Sequence, residues 1–237
     1  MKKEILERIL SDKKTKQAVT LATDLDTGNQ TLVYSDNAEG PDKTNEEILK
    51  VARATMQDDK SKLYNIDDRK IFMEVFSPPL RMLIVGAVHI AQPLSRMALL
   101  TGYDVTLIDP RSSFANNERF PGFTLNNNWP DEAVKELDPD KRTAIVTLTH
   151  DPKLDDPALE IAIKSAAFYI GSLGSKKTHA ARVERLKSAG FTISEINRIK
   201  APIGLNISSV TPSEIAVSIM AEVIETLHTK VEEKAVA

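Results

Sequence analysis

From residue 80 onward the chain alternates short, continuous apolar runs with helix-patterned segments, and nothing else in the sequence narrows the possible folds so far. The segments "RMLIVGA", "DVTLID", "TAIVTLTH", "AFYIGSL" and "RIKAPIG" read as strands. Helices are expected from about His89 to Thr101, near "PDEAVKEL" and "PALEIAIKSA", and over "KTHAARVERLKSAG", with a long loop after "DVTLID". Leu83-Ile84-Val85 and Ala144-Ile145-Val146 are unbroken apolar runs, the pattern of strands buried on both faces. Such alternation predicts a parallel sheet covered by helices on both sides. The final helix, "TPSEIAVSIMAEVIETLH", is the best marked. It has Thr211 as cap, Pro212 at the first helical position and Glu214 at the third, then a packing stripe of Ile215, Ile219, Val223 and Leu227.

The first third of the chain follows another pattern, and "FSPPLRM" is the seam. Pro78 and Pro79 remove two backbone donors and force their predecessors to be extended, so a strand ending at Phe76 cannot simply run on. Before the seam, "KKEILERIL" reads as a helix with Ile5, Leu6, Ile9 and Leu10 on one side. "AVTLATDL" and "TLVYS" read as two strands joined by a turn at Gly28 and Asn29. "TNEEILKVARATM" reads as a helix capped by Thr44 or Asn45, and "KIFMEVF" as a strand. The expected organisation is a small α+β N-terminal domain over 1–77 and an α/β domain over 80–230. The first is small for an independent core.

Composition excludes several classes. With no cysteine among 237 residues the chain forms no disulfide, offers no thiolate nucleophile and builds no cysteine metal site, which fits the cytoplasm. Glu4, Glu7 and Arg8 interrupt any signal-peptide run, and no segment approaches the ~20 apolar residues of a membrane span. A net charge of -3 of mixed sign, with no basic tract beyond "SKK" and "KKTK", argues against nucleic-acid binding.

In an open parallel sheet ligands sit outside the carboxyl ends of the strands, so the loops there are the places to read for chemistry. After the first such strand, Gly86, Val88 and Ala91 occupy the three positions of a G-x-G-x-x-G/A turn, and Asp109 follows Gly86 by 23 residues, where an acid binds a ribose hydroxyl. The middle position should be glycine, so that a pyrophosphate can touch backbone. Val88 fills that space and disfavours positive φ, which weakens ordinary NAD binding. A helix N-terminus still offers free N–H groups to an anion, and His89 is expected in its first turn. Arg111 either clamps a phosphate or carboxylate or makes a surface ion pair. His150 and Asp151 either serve proton transfer or metal ligation, or Asp151 merely caps the next turn. In "YIGSLGSKKTHAAR", Gly171, Ser172, Gly174, Ser175, Lys176 and Lys177 form either a phosphate cradle or a glycine-lined turn with Ser175 as cap. The loop lacks the G-K-[ST] ending of a P-loop, and no G-x-S-x-G elbow occurs anywhere. His89, His150 and His179 stand near three loops, but without metal-ligand spacing no metal site is expected.

Taken together, "VGAVHIAQPL", "DVTLIDPRSSFANNERFPG", "AIVTLTHDPKLDDPAL", "FYIGSLGSKKTHAARVERL" and "IKAPIGLNISSVTPSEIAVSIMAEV" resemble the XdhC/CoxI proteins, in family order from about residue 80 to residue 225. The resemblance implies a Rossmann-like carboxy-terminal domain and the role of accessory factor or chaperone to xanthine dehydrogenase and related molybdenum hydroxylases. Such a protein binds molybdenum cofactor (molybdopterin) as cargo, assists its sulfuration by a partner such as a cysteine desulfurase, and hands it to the apo-hydroxylase. A homodimer is implied too. Residues 1–76 lack the G-S-S-P-R and G-G-C motifs of longer members, so the chain resembles a shorter branch in which sulfur comes entirely from a partner. Val88 stands where the family commonly reads G-A-G-H. The expected cargo contacts are Gly86, His89, Asp109, Arg111, His150, Asp151, Gly171, Ser172, Gly174, Ser175 and Lys176. The alternative from another class is an NAD(P)-dependent oxidoreductase with a modified turn and His150 as proton donor.

Overall fold

The computed structural model describes residues 2–235, with side chains through residue 229. The chain divides into two compact units, Met1–Pro78 and Pro79–Ala237.

The first unit begins with α1 (Lys3–Lys14), followed by β1 (Val19–Asp24), β2 (Gln30–Val33) and a two-residue β3 (Ala38–Glu39). Then come α2 (Glu46–Asp58), β4 (Lys62–Ile66) and β5 (Arg69–Phe76). The sheet order is β3-β2-β1-β5-β4, all neighbours antiparallel. Alternation along β1 sorts its side chains to two faces: Ala22 packs with Ile48 and Ala52 of α2, while Val19 and Leu21 pack with Ile9 of α1. Only part of the expected α1 stripe is covered, since Leu6 and Leu10 are exposed. The Asn45 side chain caps α2 by accepting the Ile48 N–H at 3.0 Å. Strands β3 and β4 go beyond the α-β-β-α-β reading. β4 hairpins onto β5 through Asp67 and Asp68, both at positive φ (50° and 60°), the conformation of a two-residue turn that usually announces itself as Asn-Gly.

A buried carboxylate organises the other hairpin. Asp24, 1% exposed, accepts the Asp26 and Thr27 N–H groups at 2.9 and 3.1 Å and the Arg69 Nε at 2.8 Å, while Arg69 forks onto both oxygens of Asp42. Burial pushes the Asp24 carboxyl up, but these donors outweigh it and hold it at about 2.

In the second unit β6 (Leu80–Val85) leads to α3 (Ala91–Leu100) and β7 (Tyr103–Ile108). A long loop and β8 (Thr124–Asn126) precede α4 (Pro130–Leu137), whose N-cap is Trp129. The chain continues through β9 (Thr143–Thr147), α5 (Pro152–Lys164), β10 (Tyr169–Ser172), α6 (Lys176–Ser188), α7 (Ile193–Ile196), β11 (Ile199–Lys200) and α8 (Pro212–Ala235). The six strands are parallel in the order β11-β10-β9-β6-β7-β8. Counted from β6 this is the 3-2-1-4-5-6 order of a Rossmann sheet, and the order reverses between β6 and β9.

The sheet is buried on both faces, as its continuous apolar runs require. Met82 and Ile84 point to a core shared with Leu94 of α3 and Ile219 of α8, and Leu83 and Val85 to one shared with Val134 of α4, Leu159 of α5 and Leu186 of α6. The fold class is therefore the Rossmann-like parallel sheet with helices on both faces that the alternation predicts, beside a smaller α+β unit. The α8 cap has the expected reciprocal form: Thr211 N–H donates to Glu214 Oε2 at 2.8 Å, and Glu214 N–H to Thr211 Oγ1 at 3.3 Å. Ile219 and Val223 are fully buried. Strand β8 and the short helix α7 lie in stretches too brief for periodicity to mark. Among the described residues no helix is long and apolar enough to cross a membrane.

The Asp24 carboxyl gives a test. Its folded value lies below the ordinary 3.8, so its stabilisation is fully present above pH 3.8 and is lost as pH falls through about 2. Carboxyl-carbon NMR should find Asp24 titrating near 2, and Arg69→Gln should move it back toward 3.8. Titration of the native chain at 3.8 would mean that the clamp is absent.

Candidate functional site

The order reversal puts the carboxyl ends of β6 and β9 side by side, and their loops touch there. Gly86 has φ of +103°, and a Cβ on it would lie 2.5 Å from Thr149 Cγ2. Only glycine permits both that conformation and that approach. Neighbouring strands extend the contact: Leu148 N–H donates to Val85 O at 2.9 Å, and Leu173 N–H to Thr147 O at 2.8 Å. The hydroxyls of Thr147 and Ser172 meet at 2.6 Å beneath the loops. Three connections, after β6, β9 and β10, thus form one rim.

On the first wall, His89 lies in a turn before α3 instead of in the helix itself, with Ile90 as the N-cap. His89 is exposed. The N–H groups of Val88, His89 and Ile90 donate to nothing among the described residues, so they remain available to an anion. Val88 departs from expectation. Its φ is not positive, so the branched side chain is unstrained, and it packs partly into the core shared by α3 and α8.

Asp109, at the end of β7, is 1% exposed and holds the turn from behind. The Ala87 N–H donates to its Oδ2 at 2.9 Å, and Arg111 donates through N–H and Nε to Oδ1 at 3.0 and 2.9 Å and through Nη2 to Oδ2 at 2.8 Å. Burial raises this carboxyl, and the Arg111 and Ala87 donors more than reverse the effect, leaving it below its ordinary value. Arg111 thus forms the ion-pair alternative, with a buried partner, and its Nη1 has no hydrogen bond among the described residues. Its guanidinium lies 4.3 Å from the Phe114 ring centroid, and the Asp109 hydrogen bonds, with smaller help from the charges of Asp151 and Asp155, raise its pKa. Arg119 completes the wall: its Nη1 donates to Ala87 O at 2.7 Å and to Phe114 O at 2.8 Å.

In the β9–α5 loop, His150 sits at φ +63°, a left-handed conformation that costs a non-glycine residue energy. Asp155 supports it. This carboxylate, 1% exposed, accepts the Thr149 hydroxyl at 2.7 Å, the Thr149 N–H at 3.3 Å and the His150 N–H at 3.0 Å. Burial pushes Asp155 up against the pull of Thr149 and Arg182. Asp151 is the N-cap of α5, accepting Lys153 N–H at 2.9 Å, the plainer of its two readings.

The β10–α6 wall is shorter than the sequence suggests. Gly171 and Ser172 are buried inside β10, and a Cβ on Gly171 would lie 2.5 Å from Ile203 Cδ1. The loop proper runs from Leu173 to Ser175. Gly174 adopts φ +146°, Ser175 caps α6 by accepting Thr178 N–H at 3.1 Å, and Lys176 and Lys177 are exposed on the first turn. Below them the His179 Nδ1 is buried and without a hydrogen-bond partner among the described residues, and burial pulls this imidazole below its ordinary value. Arg182, 1% exposed, stands 3.9 Å from Asp155 and 3.7 Å from Asp156. Among the described residues no group of three or more His, Asp or Glu side chains is placed to hold a metal.

Sequence reasoning missed Thr149, Asp155, Arg119, Phe114 and Arg182. The acids in "DPKLDDP" at a helix start were a usable signal for Asp155. Nothing in one sequence shows that Arg182, two turns into a helix, turns inward.

The family model for the XdhC Rossmann domain matches residues 82–223. Over 148 residues the chain is 31% identical to the molybdenum cofactor insertion chaperone PaoD of Escherichia coli, covering 62% of this chain and 40% of PaoD. Over 157 residues it is 31% identical to a protein of Bacillus subtilis named as a probable xanthine dehydrogenase subunit, covering 66% of this chain and 46% of that protein. The chain spans less than half the length of the curated relatives it matches. A crystal structure described as a xanthine dehydrogenase from Bacillus halodurans superposes with a TM-score of 0.74 at 22% identity, over 95% of this chain and 64% of that one, a likeness of fold.

The closest approach in the rim is directly testable. Gly86→Ala should lower the unfolding free energy by about 1–3 kcal/mol, because the new methyl meets Thr149 and the φ is unfavourable. Adding Thr149→Ser, which removes Cγ2 but keeps the hydroxyl for Asp155, should recover part of the loss in denaturant melts. Additive losses would show that the two loops do not touch.

Proposed function

Because the chain belongs to the XdhC family through a Rossmann domain over residues 82–223, we propose that it is a maturation factor that carries molybdenum cofactor and delivers it to an apo-hydroxylase of the xanthine dehydrogenase type. One observation carries the reading: the connections after β6, β9 and β10 leave the sheet side by side at its switch point, with Gly86 against Thr149 and Leu173 bonded to the end of β9 at Thr147, and two of them offer donors to an anion. A relative named for insertion of this cofactor is 31% identical to the chain over 148 residues.

The cargo's phosphate sits between two walls. The Val88, His89 and Ile90 N–H groups face it from one side. From the other come the first turn of α6 and the Lys176 and Lys177 ammonium groups, with Gly174 at φ +146° lying close against Thr178 and Ser175 fixing the helix start. His150 presents its imidazole from the left-handed position beside Asp151. Asp109, its oxygens already engaged, acts by holding the Gly86 turn, and Arg111 offers the pterin only its outer edge. The work is binding and handover, with no bond made by the chain itself. Since the chain has no cysteine, sulfur for the cargo comes from a partner, a cysteine desulfurase being the donor the resemblance implies. The proposed setting is the cytoplasm and the proposed assembly a homodimer.

The experiment is to co-express the protein with cofactor biosynthesis, release and oxidise what it carries, and read pterin fluorescence beside activation of an apo-hydroxylase. Bound pterin and activation are expected. A pterin-free protein that activates nothing overturns the proposal. Lys176→Ala with Lys177→Ala should cut pterin occupancy about ten-fold, the scale of one lost charge-assisted hydrogen bond.

His150→Gly separates binding from folding. Relief of the left-handed strain should leave the melting temperature unchanged or higher, while pterin occupancy falls. Equal occupancy in both proteins would remove His150 from the contact set.

A further inference from the structure

The end of the second strand of a Rossmann sheet is where an acidic side chain takes the hydroxyls of a nucleotide ribose. Asp109 stands at that place with nothing left to offer. A carboxylate has about four lone-pair positions. All are engaged by the chain: Ala87 N–H and Arg111 Nη2 on Oδ2, and Arg111 N–H and Nε on Oδ1. Two of these donors are the arms of one guanidinium fork, one to each oxygen. A vicinal diol presents the same two-point pattern.

The fork is braced as well as bonded. The Arg111 guanidinium lies 4.3 Å from the Phe114 ring centroid, and Arg119 lies 5.6 Å from the same ring while its Nη1 donates to Ala87 O and Phe114 O. Turn, ring and both arginines therefore hold one another, and a ligand hydroxyl has to break a bidentate ion pair to reach Asp109. Val88, by contrast, has turned partly into the core. The obstacle to a dinucleotide lies at the far end of the turn's hydrogen-bond chain more than at its middle residue.

We infer that Arg111 is a specificity-determining residue: it fills, from within the chain, the acceptor that a ribose diol requires, and so makes the cleft refuse adenine dinucleotides. The inference goes beyond the identity of the cargo and holds whichever pterin form is carried. Arg111→Ser leaves the two backbone N–H donors on Asp109 and frees one acceptor position on each oxygen.

The test uses ADP-ribose as probe and titration calorimetry as readout, in the Val88→Gly background so that the isopropyl group plays no part. Val88→Gly alone should stay weak. Adding Arg111→Ser should tighten ADP-ribose binding by about ten-fold or more, the scale of a hydrogen bond to a charged group. The gain should vanish with the 2′-deoxy analogue of the adenosine ribose and with Asp109→Asn. ADP-ribose binding by Val88→Gly alone that Asp109→Asn abolishes would overturn the inference, as would a folded Arg111→Ser variant with no gain. Should melting show the serine variant unfolded, Arg111→Lys decides, because one ammonium cannot serve both oxygens: part of the gain supports the inference and none overturns it. Pterin loading is read separately, so failure of the cargo proposal and failure of this one are distinct results.

Discussion

Asp109 is the carboxylate on which the arrangement of the rim rests. It is buried at the end of β7, yet it takes a backbone N–H from the turn that follows the neighbouring strand β6, and so fixes the Gly86 turn against the sheet. A buried charge persists only when it is fully paired, and Arg111 supplies that pairing within two residues. From there the constraint spreads. Arg111 stacks on Phe114, Arg119 returns to the Ala87 carbonyl, and Asn127 Nδ2 donates to the Asp109 carbonyl at 2.9 Å, so the long loop is pinned at several points to the strand ends it spans.

A second carboxylate does similar work across the switch point. Asp155 reaches from the first turn of α5 to hold Thr149 and the left-handed His150, and Arg182 of α6 stands behind it. Asp109 and Asp155 feel opposite net effects. At Asp109 the hydrogen bonds from Arg111 and Ala87 outweigh burial, whereas at Asp155, where Arg182 stands 3.9 Å away, burial outweighs the Thr149 and His150 donors.

Much of the architecture was legible because it rests on periodicity. Leu83-Ile84-Val85 and Ala144-Ile145-Val146 declared strands covered twice, and Thr211, Pro212 and Glu214 declared a helix start, since both signals are local. Strand β8 and the Asp67-Asp68 turn were not legible: three residues carry no period, and two aspartates in left-handed geometry lack the glycine that marks such turns. At the site, the sequence placed Gly86, His150 and Ser175 at loop ends. It could not tell that Gly171 packs against the Ile203 side chain, or that Asp109 spends its oxygens on Arg111. Both outcomes depend on which way a side chain turns once strands are paired, information that arises only in three dimensions.

Trp129, the single tryptophan, stands 54% exposed at the N-cap of α4, just past the end of β8. Its placement gives the molecule a natural optical label. Excitation at the red edge of indole absorption, where tyrosine is dark, reports on the second unit alone and from beside its carboxyl edge, while the first unit stays silent. Backbone circular dichroism sees both. Comparing the two signals through one melting curve would show whether the units come apart together or one after the other, without attaching any dye.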